Sequence, residues 1–587
     1  MSTVIIFGAG CAGLSAAHFL IQRGYKVKVV ETLDIPGGMA KSKRVEGNMP
    51  SEYSWRGFGP WYNNCFEVMK TIPYKNSNIY DSHFSGDRLQ FDLIPDKNNN
   101  PRSLFAEGWR LTTMDKLKIA WLMLDGWCAS EIRNNEDYAN VYAYSVLKDY
   151  LSPLGAQTFS WCYGPFIGSD ISRVSSYQTY SFFKKQFFPY SPFKFKNKKL
   201  VPGKYGKRYN QNRNNWFALQ GPSNEMFFDP WVEYLKSLGV EFSFNATLDK
   251  LNYSKGKIQS VNIIQDNLIK EISANYYVLA INPYISKDII DKTPSLLKDK
   301  QLAKFIPLTI QEEHRQVSFR LAFSEKIHLP SPNFAVILTD SEFDITLFSQ
   351  DSLWHSNIYL GKNIKSLWSG TVTCDSNPGR LYNKEMKYLT HEELIEEIKY
   401  QIYRSKEFNK IIKLNNNNKS LESFELLRVE IWPEWNFPGN GKSVYGNQPK
   451  WVNTINTKKI LPEIKTGISN LYLAGAHTKT TADIWSMEAA VESGRKAADY
   501  ISNERTVIKQ KEPRVLFFLK KIDSFLYIVS LPNVLTCLWF LGIFALIIYS
   551  SIISLTIAIL LSLFTLLLNS QGTSKESVAL ENFKLNL

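Results

Sequence analysis

Four apolar residues in a row, Val4-Ile5-Ile6-Phe7, stop at Gly8. A run this short, closed by glycine, predicts a strand buried on both faces, as in a parallel sheet. Residues 14–23 then predict a helix with Gly24 as its C-cap, and residues 26–30 a second strand ending on Glu31. Far along the chain the same order returns, with the strand-like Asn470-Leu-Tyr-Leu-Ala-Gly475 ahead of a helix bearing small residues on one face. Between them, Asp229-Pro230 predicts the N-cap and first position of a helix ending at Gly239, followed by a strand over 240–244. Residues 257–264 predict a hairpin arm, and 277–283 a buried strand stopped by Pro283.

The intervening stretches have a different rhythm. Residues 114–127 predict a helix whose stripe of Leu117, Ala120, Trp121 and Leu124 faces a core. Residues 316–323 alternate as a strand does, and Thr390 with Glu393 forms a capping box ahead of Leu394, Ile395, Ile398 and Ile402. No charge occurs from Ser524 to Ser574, and residues 534–568 are almost wholly apolar. A bilayer core needs only about 20 helical residues, so this stretch predicts one long tilted transmembrane span or, with Ser550-Ser551 as the bend, two short ones. Lys520 and Lys521 ahead of it favour the cytosolic side for the part of the chain that precedes it.

Candidate chemistry begins at the first turn. Gly8, Gly10 and Gly13 have the spacing of a dinucleotide loop: one makes the turn, one admits a pyrophosphate, and one packs helix on strand. The helix N-terminus offers N–H groups and positive potential to phosphates, and Glu31 is placed to accept hydrogen bonds from a ribose. The strand before, the helix after and the acid at the right distance make this a nucleotide site and not a bare glycine turn.

Composition narrows the class. The 587 residues suffice for two or more cores, and 44% hydrophobic and 14% aromatic content is rich for a soluble enzyme. Six scattered cysteines lack a CxxC and any ligand-like pairing with the seven histidines, so neither a disulfide scaffold nor a metal site is expected. No signal peptide precedes the first strand, which places the N-terminal domain in a reducing compartment. The net charge of +14 is concentrated: no acid lies between Ile171 and Asn224, where ten lysines and arginines from Lys184 to Arg213 interleave with Phe182, Phe183, Phe187, Phe188, Tyr190, Phe193 and Phe195. That pattern suits an anionic membrane surface or a solvated basic loop; nucleic acid is not expected as a partner.

Glu31 is followed by Gly37-Gly38, and Asn470 to Ala498 reads NLYLAG followed by MEAAVESGRKAA. On these residues the chain resembles the FAD-dependent flavin amine oxidase and phytoene desaturase superfamily. The resemblance implies an α/β fold: a discontinuous Rossmann-like FAD-binding domain with an inserted α+β substrate domain. It implies that Gly8, Gly10, Gly13, Glu31 and Gly38 bind FAD, that Gly59, Pro60 and Trp61 lie near the isoalloxazine, and that the backbone at Leu248 meets the adenine. Gly475 and Ala476 would approach the ribityl-phosphate, with Met487 and Ala490 near the pyrimidine ring. The implied division is 1–62, 217–290 and 455–502 for the FAD domain, 63–216 and 291–454 for the substrate cap, 503–523 for a basic linker, 524–570 for the membrane segment, and 571–587 for a polar tail.

Two departures shape the expected function. Ala476 stands where the family has an acid, with His477 as its replacement, and Ser486 stands where monoamine oxidases have a cage tyrosine. The covalent-flavin cysteine has no counterpart, so FAD is expected to be non-covalent. The expectation is a membrane-anchored oxidoreductase moving hydride from a substrate C–H to flavin N5, on an apolar, isoprenoid-like substrate. Oxidation of a primary or secondary amine is one alternative, and a GDP-dissociation-inhibitor-like prenyl-binding protein is the other. No catalytic base stands out; His314, His328, His355 and His391 read as structural or exposed.

Overall fold

The computed structural model describes residues 1–54, 56–84, 90–92, 111–187, 193–196, 199–202, 216–309, 314–330, 334–338, 340–451, 454–510, 512–548 and 552–569. Its organising element is a five-stranded parallel sheet of β1 (Thr3–Phe7), β2 (Lys26–Val30), β3 (Glu241–Ser243), β4 (Tyr276–Leu279) and β5 (Leu471–Leu473), in spatial order β3-β2-β1-β4-β5. β1 and β4 are central, and Val4, Ile6, Tyr277 and Val278 are wholly buried, which is why their sequences are uninterrupted apolar runs. Parallel neighbours need crossovers: the helix Cys11–Gln22 joins β1 to β2, whereas β2 and β3, β1 and β4, and β4 and β5 are separated by the long excursions.

One face is covered by α1 (Cys11–Gln22), against which the helix Met487–Ser502 packs closely. A Cβ on Gly494 would stand 2.0 Å from Ala12 O, Ser15 Oγ donates to Val491 O at 2.8 Å, and Arg23 pairs with Asp499 at 2.8 Å. The two sequence signals, at opposite ends of the chain, therefore form one layer. The other face carries an antiparallel sheet of Ala246–Ser254, Lys257–Gln265 and Leu268–Ile272, whose Leu248, Leu251 and Val261 share a core with Ile5, Phe7 and Tyr277. Asp229 is not an N-cap: a π-turn over Asn224–Phe228 feeds into Asp229–Ser237, so Asp229 already has helical dihedrals.

The cap is built on a six-stranded sheet in the order Leu426–Ile431, Val317–Phe323, Ser366–Val372, Thr346–Ser349, Phe334–Ile337, Gln90–Asp92. Its last strand comes from the first excursion and the rest from the second. The capping box at Thr390 and Glu393 is present, and Leu394, Ile398 and Ile402 behind it pack on Val317, Phe319 and Leu321.

The helical side corrects several expectations. In α2 (Thr113–Cys128) the face toward the core holds Ile119, Leu122 and Met123, while Leu117 and Leu124 are 40% and 43% exposed. Asp115 fixes this rotation, because it caps α2 and also accepts from Ser152 N at 2.8 Å. Phe182 and Phe183 of α3 (Ser176–Phe187) are buried against Trp61, Tyr163 and Trp216, so they are core residues and not a membrane-facing surface. Of that basic-aromatic run, residues 188–192, 197–198 and 203–215 lie outside the described residues.

After α4 (Met487–Ser502) the chain does not run free as a linker. Ile508 N donates to Asn64 Oδ1 at 3.0 Å, and Gln510 Nε2 to Trp61 O at 2.8 Å. In α5 (Arg514–Ile528) the fully buried Asp523 pairs with Arg133 at 3.1 Å and accepts from Ser130 N and Val534 N. The expected transmembrane segment is divided into α6 (Val534–Ile548) and α7 (Ile552–Asn569), joined side by side by a Trp539–Thr565 hydrogen bond and seated on α2 through Trp121, 5.6 Å from Trp539. At 1.5 Å per residue α6 is only about 22 Å long, short of a ~30 Å hydrocarbon core. Among the described residues no helix is long and apolar enough to cross a membrane.

Candidate active site

A cavity of about 540 Å³ opens where β1 and β5 end, the position at which open α/β sheets take their ligands. Its first half is made of backbone. Gly8 has φ +103°, and a Cβ there would lie 2.4 Å from Ala280 O. Gly13 has no room either: its Cβ would lie 1.9 Å from Gly8 O, so this residue holds α1 on the turn without lining the cavity. Gly10 differs, since its Cβ would meet nothing nearer than Gly38 Cα at 3.6 Å and would project into the space a ligand needs. Gly37 and Gly38, both at positive φ, close this cradle through a Gly10–Gly37 bridge.

Glu31 ends β2 at the rim. Its Oε2 accepts from Ala9 N at 2.6 Å and its Oε1 from Leu33 N at 3.0 Å, so the carboxylate also braces the glycine turn. Burial raises its pKa, and these backbone donors oppose the rise. On the opposite side Gly475, at φ +147°, leads to Ala476 and His477. A Cβ on Gly475 would strike the His477 ring at 2.3 Å; burial holds that imidazole neutral, at about 3. Small residues at 475, 476 and 490 thus leave backbone facing the cavity, and Ser493 Oγ accepts from Gly475 N at 2.7 Å to fix the turn.

The second half is made of side chains from distant segments. Trp61, Tyr62, Phe182, Trp216 and Trp485 form aromatic walls, with Ile167 and Ile285. Trp61 is held edge-on by Phe182 at 5.4 Å and Trp216 at 5.2 Å, and its buried Nε1 has no hydrogen-bond partner among the described residues. Two cations enter these walls. The Arg56 guanidinium donates to Met39 O at 2.7 Å and Ala40 O at 3.2 Å. Lys450 Nζ donates to Gln316 Oε1 at 3.1 Å and to Gly168 O, where only glycine fits, since a Cβ on Gly168 would lie 2.1 Å from Nζ. Burial, reinforced by Arg56, pushes the Lys450 ammonium down to about 7. Of the nearby acids, Glu434 is neutralised by Lys41 at 2.8 Å, and Glu52, 3.7 Å from Arg320, also acts on Arg56.

Of the residues expected from sequence, Gly8, Gly10, Glu31, Gly38, Trp61, Gly475, Ala476, Met487 and Ala490 come together on this one cavity. Gly13, Gly59, Pro60 and Leu248 lie off its walls. Gly59 lets the Trp61 ring lie flat on the backbone, its Cβ position being 2.8 Å from that ring, and Leu248 turns into the core while its neighbour Thr247 lines the cavity. Sequence reasoning missed Arg56, Lys450, Phe182 and Trp216. Arg56 alone carried a local signal, as a lone cation inside the aromatic-glycine loop that ends at Tyr62.

Comparison with known proteins agrees with this geometry. Residues 6–72 match the family model of the NAD(P)-binding Rossmann-like domain, and residues 384–502 that of the flavin containing amine oxidoreductases. The 15-cis-phytoene desaturase of Arabidopsis thaliana is 20% identical over 543 residues, covering 87% of this chain and 82% of that protein. Among solved structures, putrescine oxidase bound to putrescine superposes with a TM-score of 0.55 at 13% identity, over 85% of this chain and 99% of that one. An oxidoreductase from Methanosarcina mazei gives 0.53 at 14% identity, over 85% and 100%. The last two likenesses concern the fold.

Proposed function

As a member of the flavin amine oxidase and phytoene desaturase superfamily, and so an FAD-dependent oxidoreductase, this chain is, we propose, an enzyme that oxidises an apolar, lipid-like substrate at a lipid surface. The cavity fits the cofactor. The cradle of Gly8, Gly10, Gly37, Gly38 and Gly475 is space that any Cβ would obstruct or that backbone strain reserves for glycine, and Trp61 Nε1 is a buried donor awaiting an acceptor. Gly8, Gly10, Glu31 and Gly38 would hold the adenosine and pyrophosphate end, and Trp61, Gly475, Ala476, Met487 and Ala490 the flavin end. Bound there, FAD supplies the acceptor for two electrons from a substrate C–H bond. Attachment is non-covalent: Cys11, the cysteine among the described lining residues, has its thiol pushed up to about 12 by burial.

The observation that carries the substrate class is the side-chain half of the cavity. Its walls are aromatic, and the charged groups on them are Lys450, Arg56, on which Glu52 acts, and Glu434, already held by Lys41. A protonated amine entering this half meets the Lys450 ammonium and only acids that already have cationic partners, whereas an apolar chain loses nothing but water. Lys450, poised near neutrality, can hold or accept the proton released at the reacting carbon. Tyr62 and Trp485, both on the cavity wall, orient the substrate and exclude water.

Lipid-surface docking is supported by the C-terminal helices. Phe517, Phe518 and Phe525 of α5 and Leu541, Phe544 and Ile548 of α6 are each more than half exposed, beside the basic Arg514 and Lys521. Soluble proteins rarely leave so many large apolar side chains uncovered on neighbouring helices. Helices too short to span can lie in the interface, with basic residues against anionic headgroups. Purified full-length protein should be yellow, release FAD into acid supernatant, and float with anionic vesicles. Flavin that stays with the precipitate contradicts non-covalent binding; vesicle-free protein at every lipid composition contradicts docking. A folded, colourless protein that takes up no FAD favours the prenyl-binding alternative.

A further inference from the structure

Behind the wall of the flavin cavity lies a second one, of about 560 Å³. α3 serves both, with Phe182 turned to the first and Ser181, Lys184 and Lys185 to the second. The segment before α4 does the same: Thr480, Thr481 and Asp483 line the second cavity, and Ile484, Trp485 and Ser486 the first.

Five lysines enter the second cavity, Lys184, Lys185, Lys458, Lys459 and Lys479, against the acids Glu131, Asp483 and Glu512. Those acids are engaged: Glu512 by Lys184 and Lys520, Glu131 by Lys458, and Asp483 by the Tyr177 hydroxyl. Lys459 and Lys479 pair with Glu136 and Glu463, which lie outside the cavity, and all four side chains are at least 40% exposed. Such pairs are worth about 0–1 kcal/mol, so both ammonium groups can swing inward at little cost.

Lys185 is the exception. It is only 5% exposed, its Nζ donates to Ser181 Oγ at 2.6 Å, and no carboxylate of the described residues lies within ion-pair distance. A buried cation with no carboxylate in ion-pair contact is costly unless an anion joins it. Burial accordingly pushes its ammonium down to about 7, among the charges of Asp483, Lys184, Glu512 and Glu492. Thr480 and Ser181 offer hydroxyl donors beside it.

We propose that this cavity binds a small tetrahedral oxyanion of the phosphate class, free or as a phosphate ester, with Lys185 as its central contact and Lys459 and Lys479 closing over it. Because α3 and the 480–486 segment are shared, occupancy fixes the wall that carries Phe182, Trp485 and Ser486. The site is independent of which substrate is oxidised.

Calorimetric titration of the full-length flavin-bound protein tests this, with sodium sulfate as the probe because it does not titrate near neutrality. Saturable 1:1 binding is expected, with uptake of about half a proton at pH 7, read from two buffers of different ionisation enthalpy, as Lys185 regains its charge. Lys185→Met should weaken binding about tenfold or more and abolish the proton uptake, with flavin content unchanged. Should that variant fail to fold, Lys459→Gln with Lys479→Gln decides, since both are exposed and a several-fold loss is expected. Inorganic phosphate and glycerol phosphate then separate the two sources: tighter binding of the ester indicates a phosphorylated metabolite or headgroup, and equal binding a free ion. No saturable heat from any of the three probes, or wild-type affinity in the folded variants, overturns the proposal.

Discussion

The two halves of the main cavity are built by opposite means. The cofactor half is backbone brought close by the absence of side chains, at Gly8, Gly10, Gly38, Gly475 and Ala476; the substrate half is side chains brought together from residues 56 to 485. A backbone cradle tolerates almost no change, because a single Cβ meets carbonyl oxygen or ligand. A side-chain wall changes by degrees. The first half therefore fixes the cofactor and the second decides what it oxidises.

Variants on each side should part company accordingly. The largest effect is expected for Gly10→Val, whose methyl groups fill the pyrophosphate approach while its own Cβ is tolerated at 3.6 Å. Flavin affinity should fall on the order of 100-fold, with the apoprotein's circular dichroism unchanged. Retained flavin would mean that the cradle is not the pyrophosphate site. Lys450→Met comes next. Flavin content should persist while kcat/KM falls on the order of 100-fold, and the wild-type rise in rate through pH 7 should vanish. Its stability has a definite sign: a lysine whose folded pKa is depressed costs stability as pH falls from about 10.5 to about 7, so the Met variant's melting temperature should gain on wild type over that window. A gap independent of pH over that window would show that the amine keeps its ordinary pKa and stays charged in the folded protein. Smallest is Trp216→Phe, which trims one aromatic wall: flavin binding should be unmoved and KM should shift several-fold, with stability changed by less than about 1.5 kcal/mol.

The same contrast governs what the sequence reveals. The glycine turn, the acid at 31, the strand at 471 and the helix behind it were legible because each is a local pattern with a local cause. Lys450 and Phe182 were not, since nothing near them in the chain announces the Gly168 carbonyl or the Trp61 ring that they meet. The stripe on α2 failed for a related reason: the helix is apolar on two sides, and Asp115, anchored to Ser152, chose which one faces inward. Apolar length over 534–568 left one long span and two short ones equally open, and α6 and α7 are two helices, neither long and apolar enough to cross a membrane. Truncation sharpens the point. Ending the chain at Asn503 removes the Ile508–Asn64 and Gln510–Trp61 bonds beside the flavin wall, so flavin retention should drop, whereas removing only α6 and α7 should spare it.

The most direct test of the central claim is anaerobic reduction of the purified flavoprotein, followed at the flavin absorbance band, against matched panels of isoprenoid lipids in detergent and of primary amines and polyamines. A substrate half with aromatic walls, the Lys450 ammonium and acids already paired with other cations predicts bleaching by at least one apolar lipid and none by the amines. Rapid bleaching by an amine with no response to any lipid would contradict it.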